Sequence, residues 1–339
     1  MVKKILCGLT ADEIFHQIAP SGFSSDHALA ISKSIYKKQI PSFSLFPKIP
    51  GKLKHELESE ATVGFLFPVG SMVSEDRSVK YLFCNESGHQ FETVYIPDGK
   101  RNTVCVSTQS GCRMNCHFCV TGRYGFNGSL TAGEIINQVL CIPGGSKVTH
   151  VVFMGMGEPM DNLENVLKAC EILTAEWGLA ISPRNITIST VGITPAVRNF
   201  LERSDCNLAL SLYSPFSKER KLVVPVERRY PAKEIIGIMK GFQLKKKRRL
   251  SIAYVMIKEL NDNDHHLEEL KSLLDGSKIR VNLLQYHSVP DDINTSSSVD
   301  RMQFFKHSLV LSGISASIRK SRGADISAAC GLLATGLKK

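Results

Sequence analysis

From about residue 100 onward, short β-branched runs alternate with helical stretches, and this alternation limits the possible folds more tightly than any other feature of the chain. The runs are TVCVST, THVVFM, NITIST, CNLALSL, LSIAYVM and RVNLLQY, with a last run ISASIR. Between them stand TAGEIINQVL, NLENVLKACEIL, TPAVRNFLER, PAKEIIGIMKGF and DHHLEELKSLL, each with helical periodicity. Strand, helix and strand in repetition is the pattern of parallel βα units. Six or seven such units predict an α/β fold, a partial or open (β/α)-barrel. Its working face should lie at the C-terminal ends of the strands.

The residues ahead of this core read differently. LTADEIFHQIA has helical spacing, and Thr10 precedes Glu13 by three residues, as in a capping box. SSDHALAISKSIYKKQI repeats the pattern, and KIPGKLKHELESEA predicts a third helix after a Pro/Gly break. Residues 1–70 are therefore expected to form a small N-terminal helical accessory domain. VKYLFCNE and QFETVYIPD alternate around SGH in the manner of a hairpin. Residues 71–100 are expected to be a linker or β-hairpin extension, and 101–339 the barrel core with its C-terminal segment.

The 339 residues are 43% hydrophobic, enough to bury a substantial core. No stretch approaches the roughly 18 apolar residues of a membrane span. The basic start MVKKILCGLTADEIF has too short an apolar run before Asp12 and Glu13 to read as a signal peptide. A cytoplasmic protein with no membrane partner is expected. The net charge of +10 suits a polyanion such as nucleic acid, bound through counterion release. Simple solubility would account for the charge equally well.

There are ten cysteines. At this length and without a signal peptide, a secreted disulfide scaffold is not expected. Cys141, Cys170 and Cys206 lie in apolar patterns and read as small buried hydrophobes. Cys112, Cys116 and Cys119 fall close together in GCRMNCHFC, directly after the first core strand. Thiolates hold iron–sulfur clusters, and three on one short loop leave one iron of a 4Fe-4S cluster without a protein ligand. The alternative is zinc, which favours four ligands in paired halves. No second pair is near, although His117 lies within the loop. A ferredoxin-type centre would need a fourth cysteine at a suitable spacing. GMGEP at 155–159 follows the second strand. Alone it would be a tight turn.

Together, the cysteine loop and GMGEP resemble the radical S-adenosylmethionine (SAM) superfamily, in which the open iron chelates the amino and carboxylate groups of SAM. Further segments narrow the resemblance: FETVYIP at 91–97, TVCVSTQSGC at 103–112, GFNGSLTAGEIINQV at 125–139, FMGMGEPMDN at 153–162, ITISTVG at 186–192, LALSLYSP at 208–215 and RGADISAACG at 322–331. All look like the RlmN-like radical-SAM RNA methyltransferases. The resemblance spans nearly the whole chain and is weakest over the first 70 residues. It implies methylation of carbon 2 of an adenosine in the peptidyl-transferase region of 23S rRNA, and of adenosine in tRNA for some members. A sister family that confers antibiotic resistance methylates carbon 8 of the same nucleotide and shares the cysteines, so carbon 8 is the alternative. An inactive RNA-binding scaffold is the remoter one.

The resemblance also implies a reaction. Carbon 2 of adenine is not nucleophilic, so the family uses two SAM molecules per turnover and two further cysteines. One SAM methylates a cysteine sulfur. The second, cleaved by one electron at the cluster, gives a radical that takes hydrogen from that methyl group, and the resulting methylene radical adds to the ring. A base removes the ring proton, and a second cysteine resolves the protein–RNA adduct by forming a disulfide. An external, flavodoxin-like electron donor and a monomeric enzyme are expected.

Residue by residue, Cys330 in ISAACG matches the methyl carrier, Cys105 the resolving cysteine and Glu92 the proton acceptor. Without the resemblance, Cys330 would read as core, Cys105 as an inward strand residue and Glu92 as solvent-facing. Cys112, Cys116 and Cys119 match the cluster ligands. Gly157, Glu158, Ser189, Ser211, Leu212, Tyr213 and His287 match the SAM pocket. Tyr213 and His287 depart from the usual residues there, as do the SEDRSVK turn at 74–80 and Glu227. The densest basic segments are KKKRR at 245–249, Arg228 with Arg229, and RKSR at 319–322. They are expected to hold RNA phosphates, although KKKRR would serve equally as a solvated loop.

Overall fold

A computed structural model of the chain describes residues 3–243, 248–288 and 292–333. Its N-terminal part consists of β1 (Lys4–Ile5), α1 (Ala11–Ile18), α2 (Ser25–Tyr36), α3 (Gly51–Glu60) and β2 (Ala61–Thr62). Thr10 and Glu13 form the capping box, at 3.2 and 2.9 Å. The two short strands pair in parallel, a feature too brief to show in sequence. Ile14, Ile31, Ile35 and Phe46 of this part are fully buried in one apolar core with the barrel.

Next come β3 (Gly70–Val73), β4 (Val79–Cys84), β5 (Gln90–Asp98) and β6 (Arg101–Cys105). The first three pair antiparallel, and β5 pairs antiparallel with β6, so the hairpin extends the main sheet. The loop after β6 contains β7 (Gln109–Gly111), α4 (Val120–Arg123) and β8 (Phe126–Ser129). The repeating units follow: α5 (Ala132–Leu140), β9 (His150–Phe153), α6 (Leu163–Thr174), β10 (Ile186–Thr190), α7 (Thr194–Arg203), β11 (Asn207–Ser211), α8 (Ser217–Val223), α9 (Ala232–Gly241), β12 (Leu250–Met256), α10 (Asp264–Leu274), β13 (Arg280–Gln285), α11 (Val299–Leu311) and β14 (Ala316–Arg319).

Each strand from β6 through β9 to β14 lies parallel beside the previous one, and the sheet order is β14-β13-β12-β11-β10-β9-β6-β5-β4-β3. This is the expected open barrel, seven parallel strands with an antiparallel extension. Side chains on a strand alternate between faces. Ile186 and Ile188, Leu208 and Leu210, and Val281 and Leu283 are fully buried in the core shared with the helices. The alternate positions carry Thr187 and Ser189, Asn207 and Ser211, Ser251, Asn282 and Ser317, and these line a cavity. The inner face is therefore polar and open, unlike the filled interior of a closed eight-stranded barrel.

The strand runs and the five helical stretches between them form the expected elements, and α11 is a further helix without a helical pattern in its sequence. Met302, Phe305 and Leu309 are its buried residues, while Val299, Phe304, Val310 and Leu311 face solvent. Apolar residues all round a helix leave no single stripe to recognise.

Candidate active site

At the end of β6 the chain turns through β7 into the cysteine loop, so strand direction alone carries the loop to the C-terminal mouth of the barrel. The loop is held from several sides. The Cys112 amide donates to the Gly125 carbonyl at 2.7 Å, and the His117 amide to the Val223 carbonyl at 3.0 Å. Arg113 pairs with Asp161 at 2.9 Å and lies over the Phe126 ring. Phe118 stacks on Tyr213, with centroids 5.9 Å apart and planes 5° from parallel.

GMGEP packs directly against this loop. Gly157 has φ +95°, and a Cβ there would come within 2.5 Å of Gln109. Both facts demand glycine. The Glu158 carboxylate accepts from the Thr190 hydroxyl at 2.5 Å, the Val191 amide at 3.0 Å and the Met160 amide at 2.9 Å. Burial pushes its pKa up to about 7, against these hydrogen bonds. Glu158 thus ties the end of β9 to the end of β10. Ser189 and Ser211 meet at 3.2 Å between their hydroxyls on the neighbouring strand ends.

One cavity of about 730 Å³ gathers most of the expected residues. Cys105, Cys112, Cys116, Cys119, Gly157, Glu158, Ser189, Ser211, His287 and Cys330 line it, whereas Glu92, Leu212 and Tyr213 do not. Leu212 and Tyr213 stand behind the wall. Their carbonyls accept from Arg220 at 2.8 Å and Asn261 at 2.7 Å. His287 meets the Ser321 hydroxyl at 2.6 Å.

Glu92 corrects its solvent-facing reading. It is fully buried and pairs with buried Lys80 at 3.4 Å. The register pairs Val94 of β5 with Cys105 of β6, and Glu92, two residues from Val94, shares that inner face. The Ser107 hydroxyl also donates to the Glu92 carbonyl at 2.5 Å.

Cys105 and Cys330 lie more than two hundred residues apart in the chain and line the same cavity. Burial raises the Cys105 thiol pKa, and Cys330 adds to the rise. Cys330 is open to the cavity, yet surrounding protein still raises its pKa, with Cys119 contributing. All ten cysteines are free thiols. Cys141, Cys170 and Cys206 are buried, as read from sequence.

The donor set fits a cubane cluster. Three thiols of one loop line a common cavity, and Gly122 beside them leaves room where a Cβ would press on the Cys116 amide at 3.2 Å. Burial holds the Cys112 thiol up at about 12, so ligation must be driven by a strong cation. Among the described residues no three His, Cys, Asp or Glu converge on one metal ion. Cys112, Cys116 and Cys119 are the residues that would hold a cluster, which would supply radical chemistry from SAM.

Several supporting residues carried no sequence signal. Arg220 is fully buried and donates to the carbonyls of Leu212, Val191 and Ser211, bracing the ends of β10 and β11. Its charge partner is Glu227, one of the departures noted above. The SEDRS turn, another departure, clasps the C-terminal segment. Asp325 accepts from the Ser74 hydroxyl at 2.6 Å and the Glu75 amide at 3.1 Å, while Asp76 accepts from the Gly323 amide at 3.0 Å.

The basic segments divide. Lys245, Lys246 and Lys247 lie outside the described residues. Arg248 does not face RNA. It is buried, near the Phe200 and Phe242 rings at 5.4 Å, and donates to the Leu201 carbonyl at 2.8 Å. Arg249 and Arg319 turn into the cavity, Arg322 pairs with Asp98 at 3.2 Å, and Arg228 and Arg229 are exposed. No described helix is long and apolar enough to cross a membrane.

Known proteins share this arrangement. Residues 106–272 match the radical SAM superfamily. A protein of Parabacteroides distasonis named probable dual-specificity RNA methyltransferase RlmN is 42% identical over 98% of this chain and 97% of its own length. The Bacteroides thetaiotaomicron protein of that name is 42% identical over 99% and 97%. The dual-specificity RNA methyltransferase RlmN of Syntrophotalea carbinolica is 36% identical over 97% and 89%. The crystal structure of a radical SAM methyltransferase from Sphaerobacter thermophilus superimposes with a TM-score of 0.88 at 35% identity, covering 97% of this chain and 98% of that one. With its cysteine loop, GMGEP turn and the further cysteines Cys105 and Cys330 in one cavity of an open barrel, the chain belongs to the RlmN family of dual-specificity RNA methyltransferases within the radical SAM superfamily.

Proposed function

We propose that this enzyme methylates carbon 2 of an adenosine in 23S rRNA, and of adenosine in tRNA, with Cys330 as the carrier of the transferred carbon. The observation that carries the reading is the pair Cys105 and Cys330, in the same cavity as the three loop cysteines. A 4Fe-4S cluster held by Cys112, Cys116 and Cys119, with two SAM molecules per turnover, supplies the methyl group and the hydrogen-abstracting radical chemistry. Gly157, Glu158, Ser189 and Ser211 form the SAM wall, and His287 closes it from β13. Leu212 and Tyr213 support that wall from behind, Tyr213 through Phe118.

Cys330 offers its sulfur at the open side of the cavity, where a nucleotide turned out of its stack can reach it. Once the carbon is bonded to the base, the adduct radical gives up one electron to the external redox partner and its ring proton, and the Cys105 thiolate then attacks the Cys330 sulfur to form a disulfide. The sulfur–carbon bond breaks, its electron pair stays with the carbon, and a proton completes the methyl group. Glu92, on the same sheet face as Cys105, takes the ring proton. It pairs with buried Lys80 at 3.4 Å. A flavodoxin-like donor supplies the electron, and the enzyme works as a cytoplasmic monomer.

Anaerobic reconstitution with iron and sulfide, followed by incubation with rRNA and tRNA side by side, tests the reading. Mass spectrometry of the digested RNA should show 2-methyladenosine. Only 8-methyladenosine would overturn the choice of carbon. A reconstituted protein that never forms 5'-deoxyadenosine would overturn the enzyme reading.

A further inference from the structure

The cavity that holds the cysteines continues down the inner face of the barrel, and its far end is strongly basic. Arg101 opens β6, Arg249 precedes β12, Arg280 opens β13, and Arg319 ends β14, and all four line the cavity. Arg319 lies at the C-terminal end of its strand, but its guanidinium reaches back to Asn282 on β13, at 3.0 Å. β6 and β14 bound the parallel part of the sheet, so this cluster draws cations from both sides of the open barrel. Arg184 lines the same cavity, and Glu158, at the cluster end, is its sole carboxylate among the described residues.

Like charges gathered this way repel one another. The Arg319 pKa is lowered by burial and then by Arg101, Arg249 and Arg280, and burial with Arg101 likewise lowers that of neighbouring His150. Among the described residues, none of these four arginines pairs with a carboxylate. Arg101 meets the Thr103 hydroxyl, and Arg319 meets Asn282. Such a cluster is costly when empty and is relieved by an anion. Guanidinium forks match the oxygens of a phosphate in paired hydrogen bonds.

We propose that Arg101, Arg249, Arg280 and Arg319 form a phosphodiester site inside the barrel, which holds the RNA strand beside the target nucleotide. The proposal rests on the methyltransferase reading and adds where the RNA backbone is gripped. Four strand residues separate Arg101 from Cys105, about 13 Å. The cysteines and the guanidiniums thus line one continuous cavity, in which a strand that presents a base to Cys330 and Cys105 can set a phosphate against the arginines. Two of the four belong to the basic runs at 245–249 and 319–322. Arg101 and Arg280 lie outside those runs and join the site through strand register.

The test compares the reconstituted full-length enzyme with the double variant Arg249→Gln, Arg280→Gln. A control, Lys233→Gln with Lys240→Gln, removes the same charge from the outer helix α9. Binding of a fluorescent single-stranded RNA spanning the target adenosine is followed by anisotropy over a range of salt. The arginine variant should bind roughly tenfold or more weakly, and its salt slope should fall by about 1.4, the share of two phosphates on a single strand. The corresponding Arg→Lys pair should recover the slope. Iron content and thermal midpoint report whether each variant is folded.

Equal slopes for wild type and the arginine variant would overturn the proposal, as would an equal loss in the lysine control. Calorimetry with inorganic phosphate and with AMP separates the sources of the anion. Loss of AMP binding with unchanged RNA binding would assign the cluster to free nucleotides and overturn the RNA site. A wild type that methylates RNA beside a variant with unaltered binding removes this site alone. A wild type that neither binds nor methylates RNA removes the methyltransferase reading with it.

Discussion

The amide of Val120, which follows the last cluster cysteine, donates to the carbonyl of Gly331, which follows Cys330, at 2.8 Å. One residue further on, the Thr121 hydroxyl donates to the Leu333 carbonyl at 2.7 Å. The cysteine loop is thus stitched to the segment that bears Cys330. If the loop holds the cluster and Cys330 carries the carbon, the two halves of the reaction are fixed to each other by hydrogen bonds to backbone carbonyls.

Replacing Cys330 with Ala should separate the two halves of the reaction. The variant should take up iron and sulfide and form 5'-deoxyadenosine from SAM unproductively, yet place no methyl group on RNA. Chromatography of the SAM products beside mass spectrometry of the RNA checks both halves. Any methylated adenosine above background would deny Cys330 its carrier role.

Replacing Cys105 with Ala should stop the reaction one step later. With no sulfur to attack Cys330, protein and RNA should stay covalently joined. The adduct should appear as a slow, ribonuclease-sensitive band on a denaturing gel. Full turnover without that band would take the resolving role from Cys105.

Lys80→Met should leave Glu92 as a buried carboxylate that has lost its ammonium partner, at a cost of about 3 kcal/mol. Adding Glu92→Gln should restore much of the loss, because the buried negative charge that faced Lys80 is gone. Urea unfolding of the three variants measures this, and a double variant no more stable than Lys80→Met would refute the coupling.

The clasp between the SEDRS turn and the C-terminal segment has a defined pH range. Burial would raise the pKa of Asp76, but hydrogen bonds from Ser78 and Gly323 outweigh it and hold the group at about 2. A folded-state pKa below the ordinary carboxylate range contributes stability that is full above about pH 4 and is lost as pH falls toward 2. Protection factors for amide exchange over residues 322–330 should therefore be the same at pH 8 and pH 5. Asp76→Ala should lower them roughly tenfold at both values. Protection that already declines between pH 8 and pH 5 would contradict this assignment.

How much could be read from sequence followed how local each signal was. The strand runs and the cysteine loop are contiguous, so the barrel was legible, as was a loop of three cysteines at its mouth. Cys105 and Cys330 were found only through family resemblance, since each alone reads as an ordinary buried residue. The Glu227 partner of Arg220 and the Asp76 and Asp325 clasp register in sequence only as departures from pattern. Their meaning depends on partners distant in the chain or on a fold not yet known. KKKRR shows the opposite error. A run of like residues suggests one role, yet Arg248 points among aromatic rings while Arg249 points into the barrel.

The segment bearing Cys330 is pinned at one end by Asp76 and Asp325 and at the other by Val120 and Thr121. Between Gly323 and Leu333 the backbone is held further by its own turns, the Ala328 amide donating to the Gly323 carbonyl and the Leu332 amide to the Ala329 carbonyl. A span tethered at both ends cannot travel. If Cys330 is the carrier, a methyl donor, a base and a second thiol must therefore each come to its sulfur within the one cavity.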